Sequence, residues 1–556
     1  MIGVLCSDSE REIVQEFFQL FKTPWELCVL GREYDVVLST QSEISRAKTR
    51  LLVIYSSQLT RFDAIQGICL DPILSDKLVL DSGINIPVYG ELVSLRGPGL
   101  PLLHNHYRSK VVSMRSIESD RIIVRVGYDL FREVALLLAE GQPAENALIP
   151  TLEAHIALLR GWIVAAGIPL VEIPPIPWGY KFIACLTHDV DFAGIRHHRF
   201  DHTFWGFVYR ALFGSLAQVV KGRGSLAHLL QNWKAVFSLP FVYLGLVGDF
   251  WDQFHRYADI DQDSNSTFFL IPFKDKAGDN VQRQFPQRRA VRYDIGDVHE
   301  QVERLTQQGY EIGVHGIDAW WSEEKGRQEL NRIAESTGRK DIGVRMHWLC
   351  FDRDAPSVLA RAGFDYDSSF GYNEAIGYRG GTLQVFQPVG VSRLLELPLH
   401  IQDTALFNTQ RLGLTEAQAW DLCTGIMDAA TRYGGVVTVL WHMRSLAPER
   451  LWGEFYVRLV QELKERGAWF GTASQVVQLF RKRRSIQFED YSLTENTLRI
   501  RLRYEGLVSE PRLFLRVHLP RKVGAATIGA QHNYFDVLWT GEHPMEIPLD
   551  SPGDVS

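Results

Sequence analysis

A recurring arrangement constrains this chain most: a short apolar run that ends, within a few residues, on an aspartate or a histidine. Phe182–Leu186 leads to Thr187-His188-Asp189-Val190-Asp191, and Tyr310–Val314 leads to His315. Gly343–Arg345 runs into Met346-His347, and Val436–Leu440 into Trp441-His442. Thr267–Ile271 (TFFLI) reads as a further strand, and Val298–Gln308 carries helical spacing. Short buried strands alternating with helices imply parallel pairing through crossover helices. In such sheets the chemistry gathers at the carboxyl ends of the strands. Segments remote in sequence therefore deliver polar side chains to one rim.

The 556 residues suffice for roughly three or four domains. Before the rim region, Ile2–Leu5, Val36–Leu38, Leu51–Tyr55 and Ile122–Val126 read as buried strands, and Ser9–Phe21 and Leu130–Glu140 as helices. This predicts an α/β domain over 1–172 that ends at the proline cluster Ile173-Pro174-Pro175-Ile176-Pro177. After the prolines the strand–helix rhythm predicts a parallel α/β domain, with a long, partly helical insertion at about 195–262. Leu498–Tyr504 and Arg512–Leu519 alternate apolar and polar residues, predicting a small β module over 485–556. Arg481-Lys482-Arg483-Arg484 reads as a solvated linker or helix end rather than a nucleic-acid contact. With 59 Lys+Arg against 66 Asp+Glu, no global basic field recommends a nucleic-acid partner.

Six scattered cysteines without a C-x-x-C pair, and a first apolar stretch too short for a secretory leader, make a reducing, cytoplasmic setting the expectation. Phe204–Val220 is interrupted by Arg210 and Gln218, and Val236–Gly248 by Pro240, so neither spans a bilayer. Either could lie on a membrane surface, given Arg210, Lys221, Arg223 and Lys234, and peripheral contact stays open. Amphipathic helices packed on the domain are the simpler expectation.

At the rim, Asp189 and Asp191 flank Val190 and point to one side of an extended chain. Two carboxylates so close resist joint ionisation unless a cation stands beside them. Histidines supply neutral nitrogen donors suited to zinc or a similar ion. Asp-x-Asp alone more often caps a helix, and a lone histidine more often sits satisfied in a core. Their combination at successive strand ends reverses both readings.

The stretch Leu186-Thr187-His188-Asp189-Val190-Asp191 resembles the first motif of the polysaccharide deacetylase family, carbohydrate esterase family 4 with its NodB-homology domain. Ser266–Leu270 resembles the second strand, Gly309–His315 the approach to the histidine motif, Arg345-Met346-His347 the arginine motif and Leu440-Trp441-His442 the closing motif. The five pieces stand in the family's order over about 177–481. Tyr366–Asn373 resembles members that carry an extra amino-terminal domain. The resemblance implies an α/β fold, a distorted (β/α) barrel, and hydrolysis of the N-acetyl group of an amino sugar with the help of a divalent metal, zinc by preference. It implies Asp189 as general base, Arg345 as its orienting partner, His442 as general acid, and Asp191 and His315 as metal ligands. Opposite protonation states of acid and base imply a bell-shaped pH–rate profile.

One departure matters. Where the family has His-x-x-x-His, the residue four beyond His315 is Ala319. His347 is the candidate third ligand, with Asp318 or a water as competitors. Loss of metal, leaving a glycan-binding protein without activity, is one rival reading, and a metallohydrolase of another acyl or amide bond is a second. Arg444 and Glu449 either line the site or pair with each other. Asp403 either orients a histidine or serves a turn, the turn being favoured. Tyr372 and Trp348 either stack on a sugar or are buried.

Overall fold

The computed structural model describes the chain except residues 30, 43–47, 75–76, 82–83, 119, 221–224, 280–288, 495, 521–532, 542–543 and 550–556. Lys221 and Arg223 lie outside the described residues. The barrel sheet runs in the order Leu395–Glu396, Tyr366–Asp367, Val344–Met346, Glu311–Gly316, Thr267–Leu270, Phe182–Val190, Val436–Leu440, Ile401–Gln402. Every pairing along it is parallel, and Ala468–Phe470 adds to the start of Phe182–Val190. Laid flat, seven strand intervals of about 4.8 Å would part the two outermost strands by about 34 Å. Yet Glu396 and Ile401 belong to those two strands and lie five residues apart, a span of at most about 17 Å. The sheet therefore curls into a barrel left open at one seam, the distorted (β/α) form that the strand–helix rhythm implies.

The helices that cover it carry their own start and stop signals. Thr415 and Thr472 each cap a helix, Glu416–Tyr433 and Ala473–Ser485, with a glutamine three residues on that closes the reciprocal box. Glu323–Thr337 starts at Ser322 and stops at Gly338, whose φ of +68° suits glycine. Gly343 meets a tighter demand. A Cβ there would lie 1.9 Å from the buried Tyr366 ring. Gly343→Ala is expected to destabilise the fold by about 1–3 kcal/mol through overpacking, read as a lowered midpoint in urea or thermal unfolding.

The first part of the chain forms a separate nine-stranded sheet. Trp25–Leu27, Ile2–Leu5, Tyr34–Ser39, Thr49–Tyr55 and Arg121–Val126 pair in parallel, and the other four strands continue antiparallel. Arg11–Phe21 and Leu130–Ala139 pack on it. At the other end of the chain stand two three-stranded antiparallel groups. Gln487–Thr494, Thr497–Arg503 and Met545–Pro548 form one. Phe514–His518 and Tyr534–Leu538 join Leu170–Glu172 in the other, so the carboxy-terminal strands recruit a strand from before the barrel.

The basic run is a helix end, one of its two readings, but it is not simply solvated. It closes the helix Ala473–Ser485 and ties the parts of the chain together. Arg483 is buried and donates to the carbonyls of Ile173, Gln19 and Leu20. Arg484 pairs with Glu16 at 2.7 Å, and Arg481 with Asp365 at 2.9 Å. Guanidinium groups satisfied in this way are structural bolts rather than anion receptors.

Candidate metal and acid–base site

At the carboxyl ends of the parallel strands the separate polar residues meet. His347 Nε2 lies 3.3 Å and His315 Nε2 3.1 Å from Asp191 Oδ1. The strands carrying His347 and Asp191 stand three places apart, about 14 Å on a flat sheet, so the curl of the barrel makes this contact. One donor atom each of Asp191, His315 and His347 falls within 4.8 Å of the other two. Immediately after His347 the backbone turns through left-handed residues, Trp348 at φ +64° and Leu349 at φ +50°, and Asn373 Nδ2 holds the Trp348 carbonyl at 2.9 Å. That turn lets the histidine end the strand facing inward.

This donor set fits a cation. His315 Nδ1 lies 3.0 Å from the Arg345 carbonyl, which can only accept, so Nδ1 carries hydrogen and Nε2 presents its lone pair or a second proton to the carboxylates. His347 Nδ1 is buried without a hydrogen-bond partner among the described residues. Burial chiefly, and His315 beside it, lower the pKa of His347 to about 3 against the pull of Asp191, so the ring is neutral, as a ligand must be. Burial opposes ionisation of Asp191, but His347, His315 and His442 outweigh it and hold the carboxyl well below the usual range. For His315, burial favours the neutral ring while Asp189, Asp191 and the Arg345 carbonyl raise its pKa.

Asp318 lies elsewhere. It accepts from the Asp279 backbone N–H, from Trp321 Nε1 at 3.1 Å and from Lys325 Nζ at 3.2 Å. Ala319, at the position where the family has a histidine, is fully buried against the helix that begins at Glu323.

Beside the cluster, Asp189 is fixed by Arg345, whose Nη1 reaches Asp189 Oδ1 at 3.2 Å and Thr187 Oγ1 at 2.6 Å. The guanidinium is fully buried and donates in addition to the Ser368 carbonyl and Oγ. Phe269 stacks on it at 4.6 Å. His442 also borders the cluster, its Nε2 3.8 Å from Asp191 Oδ2. Its Nδ1 lies 2.7 Å from Asp403 Oδ1, while Asp403 Oδ2 accepts from the His442 backbone N–H and the Ser445 hydroxyl. Burial opposes protonation of His442, but Asp403 first, then Asp191 and Asp189, raise its pKa to about 9.

Solved polysaccharide deacetylases resemble this chain. A proposed polysaccharide deacetylase from Mycobacterium smegmatis is 19% identical over 56% of this chain and 95% of its own, at a TM-score of 0.34. The allantoinase PuuE is 12% identical over 56% and 93%, at 0.35. The peptidoglycan deacetylase PdaC of Bacillus subtilis is 10% identical over 56% and 96%, at 0.24. At such values the likeness fixes neither substrate nor metal. No protein-family model and no curated protein sequence matches the chain.

Several residues differ from, or go beyond, their sequence reading. Asp403 holds a histidine and is not a turn residue, and Ser368 was not singled out as a partner of Arg345. Arg444 pairs with Glu449 at 2.7 Å and stacks on Phe192 and Trp251, outside the donor cluster. Tyr372 is buried and donates to the Gln142 carbonyl, whereas Trp348 is half-exposed beside His347. His188, between the strand's apolar run and Asp189, faces away from the cluster. Its ring bridges the Trp441 carbonyl and Asp261, which also accepts from Tyr456, so it braces the strand that delivers His442.

Proposed function

We propose that this chain is a metal-dependent hydrolase that removes N-acetyl groups from an amino-sugar-containing glycan or glycan precursor. The observation that carries the reading is the joint placement of three groups. A two-histidine, one-carboxylate cradle adjoins a carboxylate held by arginine and an imidazole held by aspartate. Asp191, His315 and His347 would hold a divalent cation, zinc by the nature of the donors. Such an ion supplies Lewis acidity towards the acetyl carbonyl and makes a bound water more acidic.

The chain's own residues do the rest. Asp189, aimed by Arg345, takes the proton of the attacking water as its oxygen bonds to the acyl carbon. His442, protonated on both nitrogens, gives a proton to the departing nitrogen as the C–N bond breaks. Acetate and a free amine result. Trp348 offers an exposed aromatic face on which a sugar ring could stack.

Metal content of the purified chain, followed by acetate release from N-acetylglucosamine oligomers, tests this. Metal with acetate release supports it. A chain that retains no divalent metal, or one active only on other amides, overturns it. His347→Ala is expected to weaken metal retention by at least the about 10–100-fold that disturbing an outer partner costs. Asp318→Asn should leave retention unchanged. Equal loss in the two variants, read by equilibrium dialysis, would remove His347 from the cradle.

A further inference from the structure

Immediately after Asp191 the chain leaves the barrel and builds a helical hairpin before returning at Thr267. Its first arm is His202–Tyr209, a π turn at Arg210–Gly214 and Ser215–Val220, and its second arm is Leu226–Tyr243. The inner faces are apolar for a plain reason: Phe204, Phe207, Leu239 and Val242 pack around Trp251 on the barrel's flank.

The outer faces are apolar as well. On the first arm Trp205, Tyr209, Phe213, Leu216 and Val220 are exposed, at intervals of four, four, three and four residues that place them on one stripe. On the second arm Leu226, Leu230, Phe237 and Phe241 are exposed at a compatible spacing, and Leu244 continues the row just beyond the helix. Phe237 is 68% exposed and Leu244 72%. A helix packed on a domain normally turns a polar face to water, and contiguous exposed apolar patches mark interaction sites. Packing on the domain, the simpler sequence expectation, therefore accounts for only one side of each arm.

Charge indicates what covers the other side. Residues 202–248 hold four Lys or Arg and no Asp or Glu, in a chain whose net charge is −7. At the foot of the hairpin Arg196, Arg199, Lys274 and Arg292 gather around a polar pocket with Asp201 and Asp297. Exposed aromatic and aliphatic side chains on a segment whose sequence carries Lys and Arg but no carboxylate complement an anionic lipid surface, where Trp and Tyr favour the interface and basic residues meet head groups. Among the described residues no helix is long and apolar enough to cross a membrane. The geometry points to a hairpin that lies in the head-group region of an anionic leaflet and docks the barrel there.

The hairpin's inner face adjoins the candidate site. Phe192, next to Asp191, packs edge-on against Trp251, and Arg444, two residues beyond His442, covers both rings. A lipid-linked amino sugar would then reach the rim from the membrane side. That extension rests on the hydrolase reading above, whereas the docking does not.

Co-sedimentation of the full chain with phosphatidylcholine vesicles, with and without phosphatidylglycerol, tests it. Strong binding is expected only with the anionic lipid. The triple variant Trp205→Ser, Phe237→Ser, Phe241→Ser and the double variant Arg199→Glu, Lys234→Glu should each weaken binding by about tenfold or more. Unfolding midpoints should be unchanged, because all five side chains are exposed. Equal binding by wild type and the charge-reversal variant, or none by wild type, overturns the proposal. So does a solution dimer that the triple variant abolishes while vesicles are ignored, which would make the face a contact between copies. Binding without acetate release would leave the docking standing and sink only the activity.

Discussion

Asp189→Asn is expected to lower kcat by about 10²–10⁴-fold, the share that a positioned general base contributes. The substitution preserves shape and removes the proton acceptor. Arg345 is held by four contacts, to Asp189, Thr187 and both oxygens of Ser368, so its guanidinium stays in place when one partner becomes neutral. The buried cation then lacks its counter-charge, and breaking a buried pair costs up to about 3–5 kcal/mol. The loss of rate must accordingly be read per folded, metal-loaded molecule. Asp189 is not among the three clustered donors, so metal content should persist. Wild-type kcat in a folded, metal-loaded Asp189→Asn would end its assignment as base.

How far the amino-acid sequence reveals these features depends on the length of the element that carries each. Phe182–Val190 and Val436–Leu440 are long enough for their apolar runs to be read as strands, and each is followed within two residues by a residue of the site. Asp403 follows the same rule, because it comes directly after a strand of the barrel. That strand, Ile401–Gln402, is two residues long and leaves no periodic trace. Ser368 likewise follows the two-residue strand Tyr366–Asp367, although its neighbours Asp367 and Ser369 make the segment conspicuously polar for buried chain. His347 was legible as the favoured third ligand, at the strand end just after Arg345, with Asp318, three residues beyond His315, as its competitor. Side-chain competition separates them: Lys325, Trp321 and the Asp279 N–H claim Asp318. Long-range recruitment is the least legible feature. Nothing in Leu170–Glu172 announces a partner more than three hundred residues away, since register between distant strands is set by packing rather than by local pattern.

Asp403→Asn should lower kcat on a scale comparable to loss of the base, about 10²–10⁴-fold, and should also move the pH profile. Both Asp403 oxygens accept hydrogen bonds: Oδ1 from His442 Nδ1, Oδ2 from the His442 backbone N–H and the Ser445 hydroxyl. An asparagine can satisfy only one of these sides, because its amide nitrogen sets a donor against donors. It also removes the charge that does most to raise the pKa of His442 to about 9 against burial. His442 acts as an acid only while protonated, so activity falls as pH rises through its pKa. A cation held by Asp191 draws that pKa downward, which places the alkaline limb of the wild-type profile at or below about 9. In Asp403→Asn the limb should move further towards acid. The linked effect on stability has the same sign. A histidine whose pKa is raised on folding contributes stability in full below its unfolded value of about 6.5, and the contribution is lost as pH rises through the folded value. Asp403→Asn should therefore cost most stability at low pH and progressively less towards pH of about 9. A purely structural Asp403 would reduce the folded fraction without displacing the limb, so an unmoved alkaline limb in a folded Asp403→Asn would show that His442 does not supply the proton.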